Sequence, residues 1–138
     1  MISKTSQNNS PPAENPAPLA VLVVDDEPLI RWSLRQALRD RGHSVEAAAT
    51  GADAVNEILK AGRPFDVVVL DYRLPDRQDL SLLEDVRRLS PGSAVVMMTA
   101  FADDNMRTGA MERGARAVVD KPFQVTSVVS LIESSAAG

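Results

Sequence analysis

Residues 19–28 read Leu-Ala-Val-Leu-Val-Val-Asp-Asp-Glu-Pro, and this stretch decides the fold. Leu19–Val24 is apolar without interruption and rich in valine, then stops at a run of acids. A strand with no polar alternation is buried on both faces, as in the middle of a parallel sheet. Pro28 is suited to a helix's first turn, and the carboxylates before it suit the positive end of a helix dipole, so a helix starts at Asp26-Glu27-Pro28. Ile30, Leu34, Ala37 and Leu38 then form one apolar stripe, and Gly42 stops it.

The unit repeats along the chain. His43–Ala48 reads as a weaker strand, Thr50 as the cap of a helix carrying Ala54 and Ile58, and Gly62 to Pro64 as its break. Phe65–Leu70 is the most apolar run, followed by a helix with Leu82, Val86 and Leu89 ahead of Ser90-Pro91-Gly92. Ala94–Met98 is the fourth strand; Asp103 or Asp104 caps a helix presenting Met106 and Ala110, which Gly114 ends, and Ala115–Val119 is the fifth strand. The last segment combines helical spacing with β-branched Val125, Val128, Val129 and Ile132, and its place in the rhythm makes it a helix. Five β-α pairs predict a doubly wound parallel α/β sheet with right-handed crossovers. Four of the nine prolines fall between Pro11 and Pro18, in a leader of Ser, Asn and Gln, so residues 1–17 read as a disordered tail; residues 18–138 form one domain.

Composition removes several chemistries. With no cysteine and a single histidine, His43, the chain has no disulfide, thiolate zinc site, thiol nucleophile or multi-histidine metal cluster. Fifteen Lys and Arg against nineteen Asp and Glu leave a formal charge of −4, which argues against a surface built to grip nucleic acid or an anionic membrane. No apolar run approaches the roughly 20 residues of a membrane span. The start of the chain lacks a signal peptide's apolar core, so the expected address is the cytoplasm.

In parallel sheets of this kind, sites form at the carboxyl ends of the strands. Those ends carry Asp25, Asp26 and Glu27 after the first strand, Asp71 after the third, Thr99 after the fourth, and Lys121-Pro122 after the fifth. With strand order 2-1-3-4-5 these four strands are contiguous, and their terminal side chains converge. Gathered carboxylates raise one another's pKa unless a cation lies between them. Oxygen-only ligands select Mg²⁺, or Mn²⁺, over zinc or copper. An aspartate attacks an anionic phosphoryl donor only when that repulsion is neutralised, here by a metal and by Lys121.

The strings VLVVDDEP, DVVVLDYRLP, VVMMTA and VVDKPF, in this order and separation, resemble the receiver domain of bacterial two-component response regulators. The resemblance implies a flavodoxin-like fold in which Asp71 takes a phosphoryl group from a sensor histidine kinase or a phosphotransfer protein. It also implies that Asp26, Asp71 and the backbone carbonyl of Arg73 ligate Mg²⁺, with Asp25 acting through water. Thr99 and Lys121 would face the phosphoryl group, and the Lys121–Pro122 bond would be cis. IRWSL after DDEP is similar to receivers on sigma-54-dependent activators, which adds transcription regulation to the expected outputs. The family also implies homodimerisation through the fourth helix, fifth strand and fifth helix, with no membrane and no direct nucleic-acid contact by this domain. No helix-turn-helix or ATPase segment follows, so the chain reads as a stand-alone regulator or the front of a longer one.

Four positions differ from the family pattern or vary within it. Val118 replaces the usual aromatic three residues before the lysine, which disturbs the coupled threonine-aromatic switch. Asp79 stands where glycine is usual, Arg73 lies two residues beyond the acceptor, and Phe101 two beyond Thr99. Two further functions fit the sequence less well. Aspartyl-phosphate phosphatases need a second Asp two residues after the nucleophile, where this chain has Arg73, and a flavin-binding flavodoxin needs a phosphate loop where this chain has acids. A degenerate receiver acting as a phosphorylation-independent interaction domain is the alternative that Val118 supports. The signalling reading makes the chain a switch rather than a turnover enzyme. Elsewhere, His43 reads as a solvated loop or strand-edge residue; Trp32, Met97, Met98, Met106 and Met111 read as core or near-core; Arg31, Arg35, Arg39 and Arg41 read as a solvated helix face.

Overall fold

The computed structural model describes residues 16–137. Most of the expected tail, residues 1–15, lies outside that range. In chain order the elements are β1 (Ala20–Val24), α1 (Pro28–Asp40), β2 (Ser44–Ala48), α2 (Gly51–Lys60), β3 (Val67–Asp71), α3 (Ser81–Leu89), β4 (Ala94–Thr99), α4 (Asp104–Glu112), β5 (Ala117–Asp120) and α5 (Val125–Ala137). All pairings are parallel and the sheet runs β2-β1-β3-β4-β5, the predicted order. The predicted strands are present with ends moved by one or two residues; β3 and β4 each extend to their terminal Asp71 and Thr99.

Side chains alternate along each strand and therefore divide the core into two layers. Leu22, Val24, Val68, Leu70, Val95 and Met97 face α2, α3 and α4, meeting Ala54, Leu83, Val86 and Ala110. Val21, Val23, Val67, Val69, Val96 and Met98 face α1 and α5, meeting Leu34, Leu38, Val128 and Ile132. β1, β3 and β4 are covered on both sides, which explains their unbroken apolar text.

Local chemistry fixes the joints. The Thr50 side chain caps α2 by accepting from the Asp53 amide, and Asp103, rather than Asp104, caps α4 through the Met106 amide. The α2 N-terminus has a second cap that sequence reading missed: Asp76, in the loop after β3, accepts from the Gly51 and Ala52 amides at 2.8 and 2.9 Å. Gly42 and Gly114 follow α1 and α4 at φ of +93° and +96°, a region open to glycine.

Three expectations about side-chain environment are corrected. His43 is buried, not solvated: its Nδ1 accepts from the Leu19 amide at 3.0 Å, and its Nε2 lies 2.7 Å from Glu133 of α5. Trp32 and Met111 are exposed rather than core, because the faces of α1 and α4 that carry them point away from the sheet; Met97, Met98 and Met106 are buried as expected. Nor is the arginine row of α1 uniformly solvated. Arg41 pairs with Glu133 at 2.9 Å, Arg31 donates to the Asp25 carbonyl at 2.8 Å, and only Arg39 of the four is exposed.

Candidate functional site

The ladder carries β1 one residue past its end, because the Asp25 amide donates to the Ala48 carbonyl. This holds Asp25 fully buried at the sheet's carboxyl edge, where its Oδ1 accepts from the Glu27 amide at 2.9 Å. Asp26, next in the chain, turns outward and is exposed. Asp71 is the last residue of β3, in register with Met98, and the Tyr72 amide donates to the Met98 carbonyl beside it. Thr99 ends β4, buried, with its Oγ1 accepting from the Phe101 amide at 3.1 Å. The Lys121 amide donates to the Thr99 carbonyl, and the Lys121–Pro122 bond is cis.

Contiguous strands bring these ends together. One carboxylate oxygen from each of Asp25, Asp26 and Asp71 lies within 4.8 Å of the other two. The Lys121 Nζ sits 2.8 Å from Asp25, 3.1 Å from Glu27 and 3.3 Å from Asp71. Asp26, Asp71, Arg73, Thr99, Lys121 and Phe123 help to line a cavity of about 590 Å³ that opens to solvent. The arrangement thus brings together Asp25, Asp26, Asp71, Thr99 and Lys121, the strand-end side chains named from the sequence.

Electrostatics follow from the crowding. Burial, then the neighbouring charge of Asp25, pushes Asp71 up from 3.8 to about 6, although Lys121 and the Arg73 amide oppose the rise. Burial by itself lowers Lys121, but the hydrogen bond and charge of Asp25, with Asp71 and Glu27, outweigh it and hold the ammonium above its ordinary value. One ammonium faces several carboxylates, so the pocket retains negative charge. An all-oxygen, anionic, partly solvated donor set fits a hard divalent cation.

The variable positions are now placed. Arg73 is exposed and lines the cavity, with its guanidinium carbon 5.9 Å from the ring centroid of Phe101, which is exposed and does not pack into the core. Asp79 accepts from the amide of Ser81, the first residue of α3, at 2.9 Å. Val118 is half-buried against the layer that contains α4. Two contacts with the acid cluster were not foreseen: Glu27 as a third partner of Lys121, and Arg31 on the Asp25 carbonyl. The row of arginines offered no signal that one would face the turn.

A parallel five-stranded sheet with three acids and a lysine at its carboxyl edge defines a receiver-type α/β module. The family model for the response regulator receiver domain matches residues 21–133, and the chain belongs to that family. Among curated relatives, the chain is 38% identical over 112 residues to the "Probable transcriptional regulatory protein TcrX" of Mycobacterium tuberculosis, covering 81% of this chain and 47% of that protein. It is 34% identical over 113 residues to the DNA-binding transcriptional regulator NtrC of Escherichia coli K12, covering 82% of this chain and 24% of that protein. This chain thus spans half or less of the length of these two relatives. A CheY-like receiver domain protein from Methanospirillum hungatei superposes with a TM-score of 0.80 at 29% identity, covering 88% of this chain and 95% of that one. No helix among the described residues is long and apolar enough to cross a membrane.

Proposed function

We propose that this domain is the phosphoacceptor module of a two-component relay, with Asp71 as the acceptor and a sensor histidine kinase or phosphotransfer protein as the donor. The observation that carries the reading is the convergence of Asp25, Asp26 and Asp71 with the Lys121 ammonium on one open cavity. An Asp71 carboxylate oxygen attacks phosphorus, a new O–P bond forms, and the bond to the donor's nitrogen or acyl oxygen breaks with its electron pair leaving on the donor. Lys121 moves its charge from the resting carboxylates to a phosphoryl oxygen, and the Thr99 hydroxyl donates to another. Asp26, Asp71 and the Arg73 carbonyl would hold Mg²⁺ directly, with Asp25 acting through water; Mn²⁺ would substitute. The metal would supply charge neutralisation for the approaching dianion. With Asp71 near 6, the carboxylate is the majority form at neutral pH and remains available as nucleophile.

The product stays attached to the protein, so the module is a switch whose two states differ in what its surface binds, and not a turnover enzyme. Exposed Leu29 and Trp32, one turn apart on α1 near the cavity, offer apolar surface to a donor in the cytoplasm. Val118 favours a second reading, a phosphorylation-independent interaction domain, but that reading gives no reason for the intact acid cluster. Incubation with radiolabelled acetyl phosphate discriminates. Label that requires MgCl₂ and disappears in Asp71→Asn supports the phosphoacceptor; no label on wild type in saturating MgCl₂ supports the interaction domain.

A further inference from the structure

Asp25 is fully buried, and its polar groups are hydrogen-bonded except Oδ2, whose contact is the ion pair with Lys121. Its amide donates to Ala48, Oδ1 accepts from the Glu27 amide, and Oδ2 faces Lys121. The carbonyl is the odd one. It lies beyond the last β1–β2 register pair, Val24 with Ala48, so the sheet supplies it no partner. The partner is the half-buried Arg31 guanidinium, which reaches back from α1 and donates at 2.8 Å.

That carbonyl belongs to the peptide plane that joins Asp25 to Asp26. Rotating the plane would swing the Asp26 Cα, and with it one carboxylate of the cluster, relative to the other. We infer that Arg31 is a positioning residue: by pinning the Asp25 carbonyl it fixes the separation and direction of the two adjacent acids. Its guanidinium also brings positive charge to a turn otherwise crowded with carboxylates. Arg31 touches neither the cavity nor the acceptor oxygen, so it acts through the acid pair. Residues that orient a metal's ligands in this way commonly alter affinity by about tenfold or more when removed.

The inference rests on the phosphoacceptor reading above, and one experiment separates the two. Isothermal titration with MgCl₂ is run on wild type, Arg31→Ala, Arg31→Lys and Arg39→Ala, followed by acetyl phosphate labelling across a MgCl₂ series. Arg39 lies exposed on the same helix, so its variant removes the same charge at a distance. The expected result is Mg²⁺ affinity weakened about tenfold in Arg31→Ala. Arg31→Lys recovers part of the loss and Arg39→Ala stays close to wild type. The half-saturating MgCl₂ for labelling should rise in parallel, while the rate at saturating MgCl₂ is largely retained. Equal Mg²⁺ affinity in wild type and Arg31→Ala, equal weakening in Arg39→Ala, or a loss confined to the saturated rate would overturn the positioning role. If Arg31→Ala does not fold, Arg31→Lys and Arg31→Gln carry the comparison, and affinity unchanged in both has the same meaning. Absence of Mg²⁺ binding by wild type would instead remove the phosphoacceptor reading.

Discussion

Asp71 is held against its own chemistry, and Asp71→Asn should reveal the cost. Its folded pKa is raised from 3.8 to about 6, first by burial and then by Asp25. Below the unfolded value both states carry the proton and the site costs nothing. Between the two values the native state binds more protons than the unfolded chain, so stability falls as pH rises; above about pH 6 the penalty is complete and constant. A rise of this size corresponds to about 3 kcal/mol. Asp71 is only 6% exposed, so solvent screening removes little of it. Asparagine keeps the shape without the charge. In EDTA at pH 7.5, urea denaturation should therefore show Asp71→Asn more stable than wild type by about 2–3 kcal/mol, and thermal denaturation a midpoint about 10 °C higher for a domain of this size. The gain should vanish near pH 4. MgCl₂ should stabilise wild type and close the gap, with little effect on the variant. An asparagine variant equal to or less stable than wild type at pH 7.5 in EDTA would refute the crowded-carboxylate reasoning.

His43→Ala strips the Leu19 amide of its buried acceptor and Glu133 of a partner, so urea denaturation should show a loss of about 2 kcal/mol while Asp71 labelling is unchanged. Asp76→Ala removes the second cap of α2 and should cost about 1 kcal/mol, read as a lower denaturation midpoint and faster amide exchange at Gly51 and Ala52. Gly42 and Gly114 both have positive φ, but an added Cβ meets open space at Gly42 and the Arg87 side chain at 2.7 Å at Gly114. Gly114→Ala should therefore destabilise more than Gly42→Ala, which should cost about 1 kcal/mol for the backbone alone.

The fold was legible because strands covered on both faces must be written in uninterrupted apolar residues, and Val21–Val24, Val67–Leu70 and Ala94–Met98 are. The site was legible for a related reason: where such a strand ends in Asp or Lys, the charged group stands at the sheet's edge, and the order of strands decides which groups meet. What sequence reading missed depends on contacts between distant segments. His43 looked solvated because its partner Glu133 is 90 residues away, on a helix whose docking angle no local pattern encodes. Asp76 and Gly51 are 25 residues apart and meet through the loop that follows β3. Trp32 reads as core or near-core by default, yet the stripe of Leu34 and Leu38 already occupies the inward face of α1, leaving the indole outside. Arg31 sits in a row of chemically identical residues, and only its place relative to the Asp25 carbonyl sets it apart.

The most direct test of the central claim is to trap the acceptor. Wild-type protein is incubated with acetyl phosphate and MgCl₂, reduced with borohydride, which converts an aspartyl phosphate to homoserine, and mapped by peptide mass spectrometry. Homoserine at position 71 alone, dependent on MgCl₂, is the predicted result. Homoserine at another aspartate with Asp71 intact, or at no position despite saturating donor and metal, would contradict it.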